Sequence, residues 1–384
     1  MIMKKKIFTS LGLMSGTSMD GVDLSIIKSD GYEEISSILN VYKDFDDNLY
    51  EQLTNIRDKI TNISDLKTYS NDLKELEKKF TLFNAKMIAD VIKNINEDID
   101  LVGFHGQTIF HNSRLKISKQ LGDGNLLSHL LQKIIINNFR QNDLDNEGQG
   151  APLTPVFHHL ISKNIQKKFK IEFPISIINI GGITNVTQIK DFSNNLGDDL
   201  FAFDIAPGNC MIDEWVRNNI KLKYDKNGNY AKTGKVDSLV LNQAIDNFEI
   251  KSYEKSLDIK DFDISFLRGL SLEDGCATLT KFSAHLIATG IEDINNQRKK
   301  SSPINLVCGG GRKNNFLIQQ INENLKHKYL ELENIDNYGF DGDFIESQAF
   351  GYLSIRTYLN LPISFPNTTR CKSETVGGII NKNF

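Results

Sequence analysis

The sequence has little of what marks secreted, metal-bound or membrane-embedded proteins. Its 384 residues include one tryptophan, seven prolines and four cysteines. The cysteines are Cys210, Cys276, Cys308 and Cys371. They form no C-x-x-C pair and no zinc spacing, which favours a reducing cytoplasm and no structural metal. No apolar run approaches the roughly 20 residues of a membrane span, so we expect no membrane contact.

A strong excess of charge is also missing. The formal net charge is −4, so nothing favours nucleic acid or an anionic membrane as a partner. Any phosphate must then be bound locally, by loops and helix N-termini. The length exceeds the size at which one core stops growing, so two domains are expected. We place them at 1–172 and 173–344, with 345–384 packing back onto the first.

The first residues faintly imitate a signal peptide. A lysine-containing start, 1–6, precedes the apolar run Ile7–Met14. Polar residues and a glycine interrupt this run, and no small-residue cleavage site follows it. The pattern therefore predicts a first β-strand rather than a leader.

The periodicity along the chain predicts an α/β protein. A strand-loop-strand unit at 7–28 is echoed by a second at 173–189, which indicates two halves of similar topology. The other predicted elements are helices at 71–95, 126–140, 273–290, 315–325 and 345–359, strands at 100–104, 201–203 and 303–308, and a surface loop at 221–235.

Three glycine-hinged loops stand out, and each follows or lies inside a strand-like run. They are Gly12–Asp23, Asn179–Thr187 and Val307–Arg312. Glycine lets a backbone approach phosphate oxygens and reach positive φ. Three such loops are typical of two domains that close on one nucleotide. Two loops would hold its phosphates, and the triglycine loop its adenosine. An ordinary tight turn is the alternative for each loop.

Aspartates accompany these loops. Asp20 and Asp23 follow the first loop, where carboxylates can hold Mg²⁺ directly or through water; capping of their own turn is the alternative. Asp204 follows the apolar run 201–203 and precedes a Pro-Gly turn. A carboxylate at the carboxyl edge of a sheet can take a proton from a nucleophile. The alternative role for Asp204 is an N-cap of the helix near 211–218, for which Asn209 is better placed.

Two further polar loops, 103–108 and 148–155, carry donors that suit a polyhydroxylated ligand. Because of these loops, His105 and His158 are stronger candidates for a functional role than the other histidines. Glu346 opens the last helix, where the alternative is an acid that only stabilises the helix dipole.

Together these segments resemble the anhydro-N-acetylmuramic acid kinase family of bacterial cell-wall recycling. Seven stretches carry the resemblance in the expected order: Gly12–Asp23, Gly103–His111, Gly148–His158, Asn179–Thr187, Phe201–Trp215, Val307–Asn315 and Asp341–Gly351. The resemblance implies an actin/hexokinase-like fold of two ribonuclease-H-like domains. It also implies ATP with Mg²⁺ as phosphoryl donor and a 1,6-anhydro-amino-sugar acceptor, whose bridge water opens before O6 is phosphorylated. Some members of the family are dimers, so the resemblance also allows a homodimer.

The resemblance and the loops together suggest roles for individual residues. Asp204 is the implied catalytic base, and Asp20 and Asp23 are the implied metal ligands. The predicted nucleotide contacts are Gly16, Thr17, Ser18, Met19, Asp20, Gly21, Val22, Asp23, Gly181, Gly182, Thr184, Asn185, Gly309, Gly310 and Gly311. The predicted sugar contacts are His105, Gln107, Gln149, Pro207, Gly208, Asn209 and Glu346. The chain departs from the family pattern at Ile205 and Ala206, where Thr and Gly are expected.

Two rival functions share these features. One is a conventional sugar kinase of the same fold, in which Asp204 deprotonates a free hydroxyl. The other is a nucleotide-switch ATPase, which has no need of Asp204 or of the polar loops around His105 and Gln149. ATP turnover with and without the anhydro-sugar separates these functions, because a switch would hydrolyse ATP alone.

Overall fold

The computed structural model describes residues 6–16, 18–191, 195–248, 253, 256–257, 259–297 and 304–384. The chain forms two compact units. Unit 1 comprises Met1–Lys163 with Glu346–Phe384, and unit 2 comprises Asn164–Ile345. The predicted boundary was at residue 172, whereas this division falls inside the helix Pro155–Phe169. Among the described residues, no helix has the length and apolar character needed to cross a membrane.

The described residues form both strands and helices. The strands are β1 (Phe8–Ser15), β2 (Gly21–Ser29), β3 (Ile35–Asp44), β4 (Leu101–Asn112), β5 (Ile117–Leu121), β6 (Ile134–Asn137), β7 (Ile175–Ile180), β8 (Ile183–Ile189), β9 (Leu200–Pro207), β10 (Ile304–Cys308), β11 (Leu332–Asn334) and β12 (Ile379–Asn381). The helices are α1 (Asp47–Lys59), α2 (Ile63–Thr68), α3 (Ser70–Lys93), α4 (Gly124–Leu131), α5 (Gln141–Asp145), α6 (Pro155–Phe169), α7 (Leu196–Asp199), α8 (Cys210–Asn219), α9 (Asn229–Thr233), α10 (Ser238–Asn247), α11 (Leu272–Gln297), α12 (Asn315–Asn324), α13 (Ile345–Tyr358) and α14 (Pro366–Thr369).

The two units share one strand order. In unit 1, β1, β2 and β3 form an antiparallel meander, and β4 and then β6 continue parallel from β1. In unit 2, β7, β8 and β9 form the meander, and β10 and β11 continue parallel from β7. Both sheets therefore contain a three-stranded antiparallel meander followed by two parallel strands beside its first strand, which is the ribonuclease-H-like arrangement, and in unit 1 β5 and β12 are additions to it. The predicted α/β class and the predicted echo between the halves are confirmed.

The helix predicted at 126–140 is wrong over its second half. Helix α4 ends at Leu131, and Gln132 takes a left-handed conformation with φ 53°. The isoleucines that follow form β6, which pairs parallel with β4. β-branched side chains pack well in sheets, and a partner strand satisfies their backbone groups. Tertiary pairing overrode the helical pattern here.

Two other segments are more ordered than predicted. The strand expected at 100–104 continues to Asn112, because β5 supplies an antiparallel partner for its second half. The surface loop expected at 221–235 contains helix α9, whose Ala231 is buried. The buried carboxylate of Asp225 accepts hydrogen bonds from the backbone of Tyr230 and Ala231 and stabilises the start of this helix.

Helix α13 lies directly on the sheet of unit 1. A Cβ added to Gly12 would lie 2.0 Å from the carbonyl oxygen of Ser347, and one added to Gly103 would lie 2.2 Å from that of Phe350. Paired hydroxyls support the contact, with Ser25 Oγ 2.7 Å from Ser347 Oγ. Backbone therefore packs on backbone where β1 and β4 meet the helix that begins beside Glu346.

We expect Gly12→Ala to destabilise the protein by about 1–3 kcal/mol or more, because the added methyl group overlaps helix backbone that cannot move aside. Thermal unfolding measures the effect. Gly310→Ala is the matched control, since no described atom lies within 4 Å of its added Cβ and its φ is not positive. Equal melting temperatures for the two variants would contradict this view of the contact.

Candidate active site

The first glycine loop is the tip of the β1–β2 hairpin in unit 1. The Ser18 hydroxyl donates to Asp20 Oδ1 at 2.7 Å, and the backbone N–H of Met19 donates to the Gly16 carbonyl at 3.2 Å. The side chains of Met19 and Val22 are 1% exposed and belong to the core. These two predicted contacts can therefore offer only backbone to a ligand. Thr17 lies outside the described residues.

The side chain of Gln107 holds this loop in place through hydrogen bonds. Its side chain is fully buried, its Oε1 accepts from the Ser15 hydroxyl at 2.5 Å, and its Nε2 donates to the Gly16 carbonyl at 3.0 Å. The Ser15 hydroxyl also lies 2.9 Å from the Gly21 carbonyl. Gln107 was predicted to contact a sugar, but its polar atoms are committed to the hairpin. Its role in the structure is to hold the loop.

Carboxylates gather beside the same hairpin around Tyr42. Burial, and then the charges of Asp20 and Asp44 with a smaller effect of Asp23, raise the pKa of the Tyr42 phenol. No described group of three or more His, Cys, Asp or Glu side chains has the geometry of a metal cage. A magnesium ion is commonly held by one or two carboxylates together with substrate phosphates, so Asp20 and Asp23 fit that ion.

A second cluster in unit 1 is centred on Arg140, which sequence reasoning missed. Its Nε and Nη2 donate to Nε2 of His105 at 3.2 and 2.9 Å, and its Nη1 donates to the Gly150 carbonyl at 2.8 Å. Because arginine only donates, Nε2 of His105 must accept, and its Nδ1–H donates to the Gly106 carbonyl. Burial, and then the nearby Arg140 charge, hold the pKa of His105 well below its usual value. His105 is thus a neutral acceptor that orients Arg140.

The charge of the Arg140 guanidinium also acts on the carboxyl group of Glu346. Burial raises the pKa of the Glu346 carboxyl, and the charge of Arg140 partly opposes that rise. Burial lowers the pKa of Arg140, whereas Glu346 and then Asp143 oppose that change. The charges of Glu346 and Arg140 therefore influence each other at the start of α13. No sequence motif marked Arg140, which lies in a segment predicted to be helical.

The loop around Gln149 is built on Asp143. The Asp143 carboxylate accepts from the backbone of Gly150 at 2.7 Å and from the Thr369 hydroxyl at 2.6 Å. The carbonyl of Gln149 lies 2.9 Å from His111 Nε2, and its N–H donates to the Thr369 carbonyl. The backbone of Gln149 is thereby fixed, and its side chain is half-buried.

In unit 2 the glycine turns leave the sheet at one edge. Strands β7, β9 and β10 run in the same direction and end at Ile180, Pro207 and Cys308. The backbone N–H groups of Gly208 and Asn209 donate to the carbonyls of Gly182 and Gly181, each at 2.8 Å. The structure therefore brings the predicted phosphate turn and the Pro-Gly turn into direct contact. Pro207 itself is buried.

The triglycine turn reaches the same edge. A Cβ on Gly311 would lie 2.3 Å from the Ile180 side chain, and one on Gly309 would lie 2.3 Å from Asn179 Oδ1. Gly309 also has φ +79°, which favours glycine. These two glycines are needed for the turn to pack on the end of β7.

Open space and unused polar atoms mark this edge. No described atom lies within 4 Å of a Cβ built on Gly310, and Gly181 has only a carbonyl oxygen at 3.6 Å. The buried Thr184 Oγ1 and Asn185 Oδ1 have no hydrogen-bond partner within the described part of the chain. The space over Gly310 and Gly181 leaves room for a ligand at these turns.

Asp204 lies inside β9 rather than at its end, which corrects the prediction. It is opposite Asn185 on β8, and its Oδ2 accepts from the backbone N–H of Leu257 at 2.9 Å. Helix α8 begins after Asn209, whose side chain makes no capping hydrogen bond. Asp204 therefore does not cap α8, and that alternative is wrong. Its carboxylate belongs to a residue three positions before the end of β9.

The neighbour of Asp204 points away from this edge. The register between β8 and β9 shifts at Asn185, which leaves Ile205 as the extra residue of a bulge. Ile205 is fully buried, and a Cβ on Gly290 of α11 would lie 2.8 Å from Ile205 Cβ. The resemblance to the family predicted a threonine at this position. In this chain the side chain of residue 205 fills the core against α11.

Two ribonuclease-H-like units with glycine turns at their strand ends define the class of actin/hexokinase-like ATPases. The model of the family described as anhydro-N-acetylmuramic acid kinase matches residues 8–383. The chain is 53% identical over 385 residues to the anhydro-N-acetylmuramic acid kinase of Pelagibacter ubique (strain HTCC1062), covering 99% of this chain and 100% of that protein. The chain belongs to the anhydro-N-acetylmuramic acid kinase family.

The chain is also similar to a second relative and to a solved structure. The anhydro-N-acetylmuramic acid kinase of Rhodospirillum rubrum is 33% identical, covering 96% of this chain and 93% of that protein. Among solved structures, the activator of the 2-hydroxyisocaproyl-CoA dehydratase from Clostridium difficile with bound ADPNP is 12% identical. That match covers 92% of this chain and 96% of the other, with a TM-score of 0.39.

We expect His105→Leu to destabilise the protein by about 1–3 kcal/mol, because it leaves the buried N–H groups of Arg140 without their acceptor. Urea unfolding at pH 8 measures the change. His129→Leu alters an exposed histidine of the same unit and should stay within about 0.5 kcal/mol of the wild type. If the two variants lose equal stability, His105 does not support Arg140.

Proposed function

We propose that this kinase transfers the γ-phosphoryl group of ATP to O6 of 1,6-anhydro-N-acetylmuramic acid as water opens the 1,6-bridge. The product is N-acetylmuramic acid 6-phosphate, which places the enzyme in peptidoglycan recycling. Family membership supports the kinase class. The observation that supports the site is the carboxyl end of the unit 2 sheet, where the Gly181, Gly208 and Gly309 turns leave their strands and Asp204 lies in β9 three residues before Pro207.

Different turns hold the phosphates and the adenosine of the nucleotide. Gly16–Asp23 and Gly181–Asn185 offer backbone donors to phosphates. The triglycine turn holds the adenosine, because its neighbours are unsuited to phosphate. Arg312 and Lys313 face the carboxylates of Asp336, Asp341 and Asp343, so anions outnumber cations beside that turn. A magnesium ion on Asp20 and Asp23 would neutralise charge on the phosphates.

The sugar is assigned to the remaining predicted contacts. Glu346, Asn209, Gly208 and the Gln149 loop are the proposed direct contacts. His105 and Gln107 act indirectly. His105 orients Arg140 and Gln107 holds the hairpin, because both side chains are buried and already hydrogen-bonded to these partners. This assignment changes the predicted roles of two residues and keeps the predicted ligand.

Asp204 is the proposed general base. It takes a proton from the water that attacks C1, the bond between C1 and the bridging oxygen breaks, and that oxygen becomes O6. O6 then attacks the γ-phosphorus, and ADP leaves. Phosphoryl transfer depends chiefly on positioning and charge neutralisation, so the protein needs few chemically active groups. General-base help of this kind contributes roughly 10²–10⁴ in rate.

A conventional sugar kinase remains the second candidate, because the same edge could activate a free hydroxyl. A nucleotide switch is disfavoured by family membership. The homodimer and the cytoplasmic location stay predictions.

We expect Asp204→Asn to fold, because an amide oxygen can still accept from Leu257, and to lose at least about 10²-fold in turnover. A coupled assay of ADP release with anhydro-sugar measures the loss. Asp198→Asn changes an exposed carboxylate of the same unit and should keep full activity. Near-normal turnover by folded Asp204→Asn would remove it as the base.

The oxygen source separates the two kinase candidates. In H₂¹⁸O the proposed reaction puts one heavy oxygen on the anomeric carbon and none in the phosphate ester bridge. Mass spectrometry of promptly quenched product detects the label before anomeric exchange obscures it. A kinase acting on a free hydroxyl would give an unlabelled product with its 1,6-bridge intact, and that product would rule out the proposed reaction.

A further inference from the structure

Arg312, directly after the triglycine turn, is a buried cation in a pocket of carboxylates. Its side chain is 3% exposed, whereas the side chains of Asp336 and Asp343 are 41% and 28% exposed. Its Nε lies 3.2 Å from Asp336 Oδ1, and its Nη1 donates to Asp343 Oδ1. Asp341 Oδ1 lies 3.5 Å from Nη2. The guanidinium is thus surrounded by anions within unit 2.

The same side chain also bonds the turn itself. Nη1 of Arg312 donates to the Gly309 carbonyl at 3.2 Å, and the backbone N–H of Arg312 donates to that carbonyl at the same distance. On the other side, the Gly309 N–H donates to the Gly342 carbonyl at 3.0 Å. The Gly342 N–H donates to Asp336 Oδ1 at 2.8 Å. Both polar groups of the Gly309 backbone therefore belong to one network centred on Arg312.

Arginine suits this position better than lysine would. Its planar fork presents five donors in a fixed geometry, which here reach two carboxylates and one carbonyl at once. A Cβ on Gly342 would lie 2.5 Å from Arg312 Nε, so the facing segment must be glycine for the fork to fit. Burial alone would lower the pKa of Arg312, but hydrogen bonds to Asp343 and Asp336 raise it above its usual value. The group stays charged.

We propose that Arg312 is a positioning residue of the nucleotide site and that, by bonding Gly309, Asp336 and Asp343, it holds the triglycine turn in the shape that receives adenosine. The inference rests on the proposed function, since it takes the Gly309–Gly311 turn as the adenosine site. The open space over Gly310 is the part of the turn that the network leaves free for the ligand. Arg312 touches no phosphate and no reacting atom in this view.

The test compares three probes that use different parts of the site. ATP needs both the adenosine turn and the phosphate loops, adenosine needs the turn alone, and tripolyphosphate needs the phosphate loops alone. Titration calorimetry of the full chain should show that Arg312→Met weakens ATP and adenosine by the same factor, about tenfold or more. Tripolyphosphate affinity should be unchanged, and kcat at saturating ATP should stay close to that of the wild type while KM for ATP rises.

Two more variants keep the test decisive. Arg312→Lys retains the charge among the carboxylates but loses the fork, so it should fold and show an intermediate loss for ATP and adenosine. Arg268→Met is the matched control, because Arg268 is an exposed arginine of the same unit that lies outside the Arg312 network. It should leave all three affinities unchanged.

Unchanged ATP affinity in folded Arg312→Met and Arg312→Lys would overturn the positioning role. Equal loss of all three probes would also overturn it, because that result indicates general disruption. Failure of the wild type to bind ATP would instead overturn the proposed function. The two failures are therefore distinguishable.

Discussion

The structure depends on places where backbone must lie against backbone with no side chain between. At Gly12 and Gly103, helix α13 rests on β1 and β4 so closely that a methyl group would overlap its carbonyls. At Gly309 the triglycine turn lies against the end of β7, where an added Cβ would lie 2.8 Å from the Ile180 carbonyl oxygen. Interiors are packed to the density of organic crystals, so such contacts leave little freedom of position. The hairpin, the start of α13 and the triglycine turn are consequently fixed by their glycines.

Buried charge is the second constraint, and it is met differently in each unit. In unit 1 Arg140 is held by a neutral histidine, a loop carbonyl and the field of two carboxylates. In unit 2 Arg312 is held by direct carboxylate contacts. An unpaired buried charge costs several kcal/mol, so each arginine requires its surroundings to be built around it. In both units these surroundings include a glycine loop.

Much of the fold was predictable because its signals are local. The glycine loops, the amphipathic helix α3 and the echo between the halves follow from periodicity and turn chemistry over short windows. Strand β6 was not predictable in this way, since its isoleucines continue an apolar helical pattern and become a strand only by pairing with β4. The full length of β4 was hidden for the same reason, because β5 is its partner.

The sequence by itself determined the fold class, the family and the positions of the glycine turns, because glycine and aspartate at strand ends carry their meaning without knowledge of their neighbours. Only the tertiary structure decided what the polar side chains do. It committed Gln107 to the hairpin, made His105 the acceptor of Arg140, and turned Ile205 into the core beside Asp204. These roles depend on burial and on partners that are distant in the chain, and such partners are defined only when the sheets have formed.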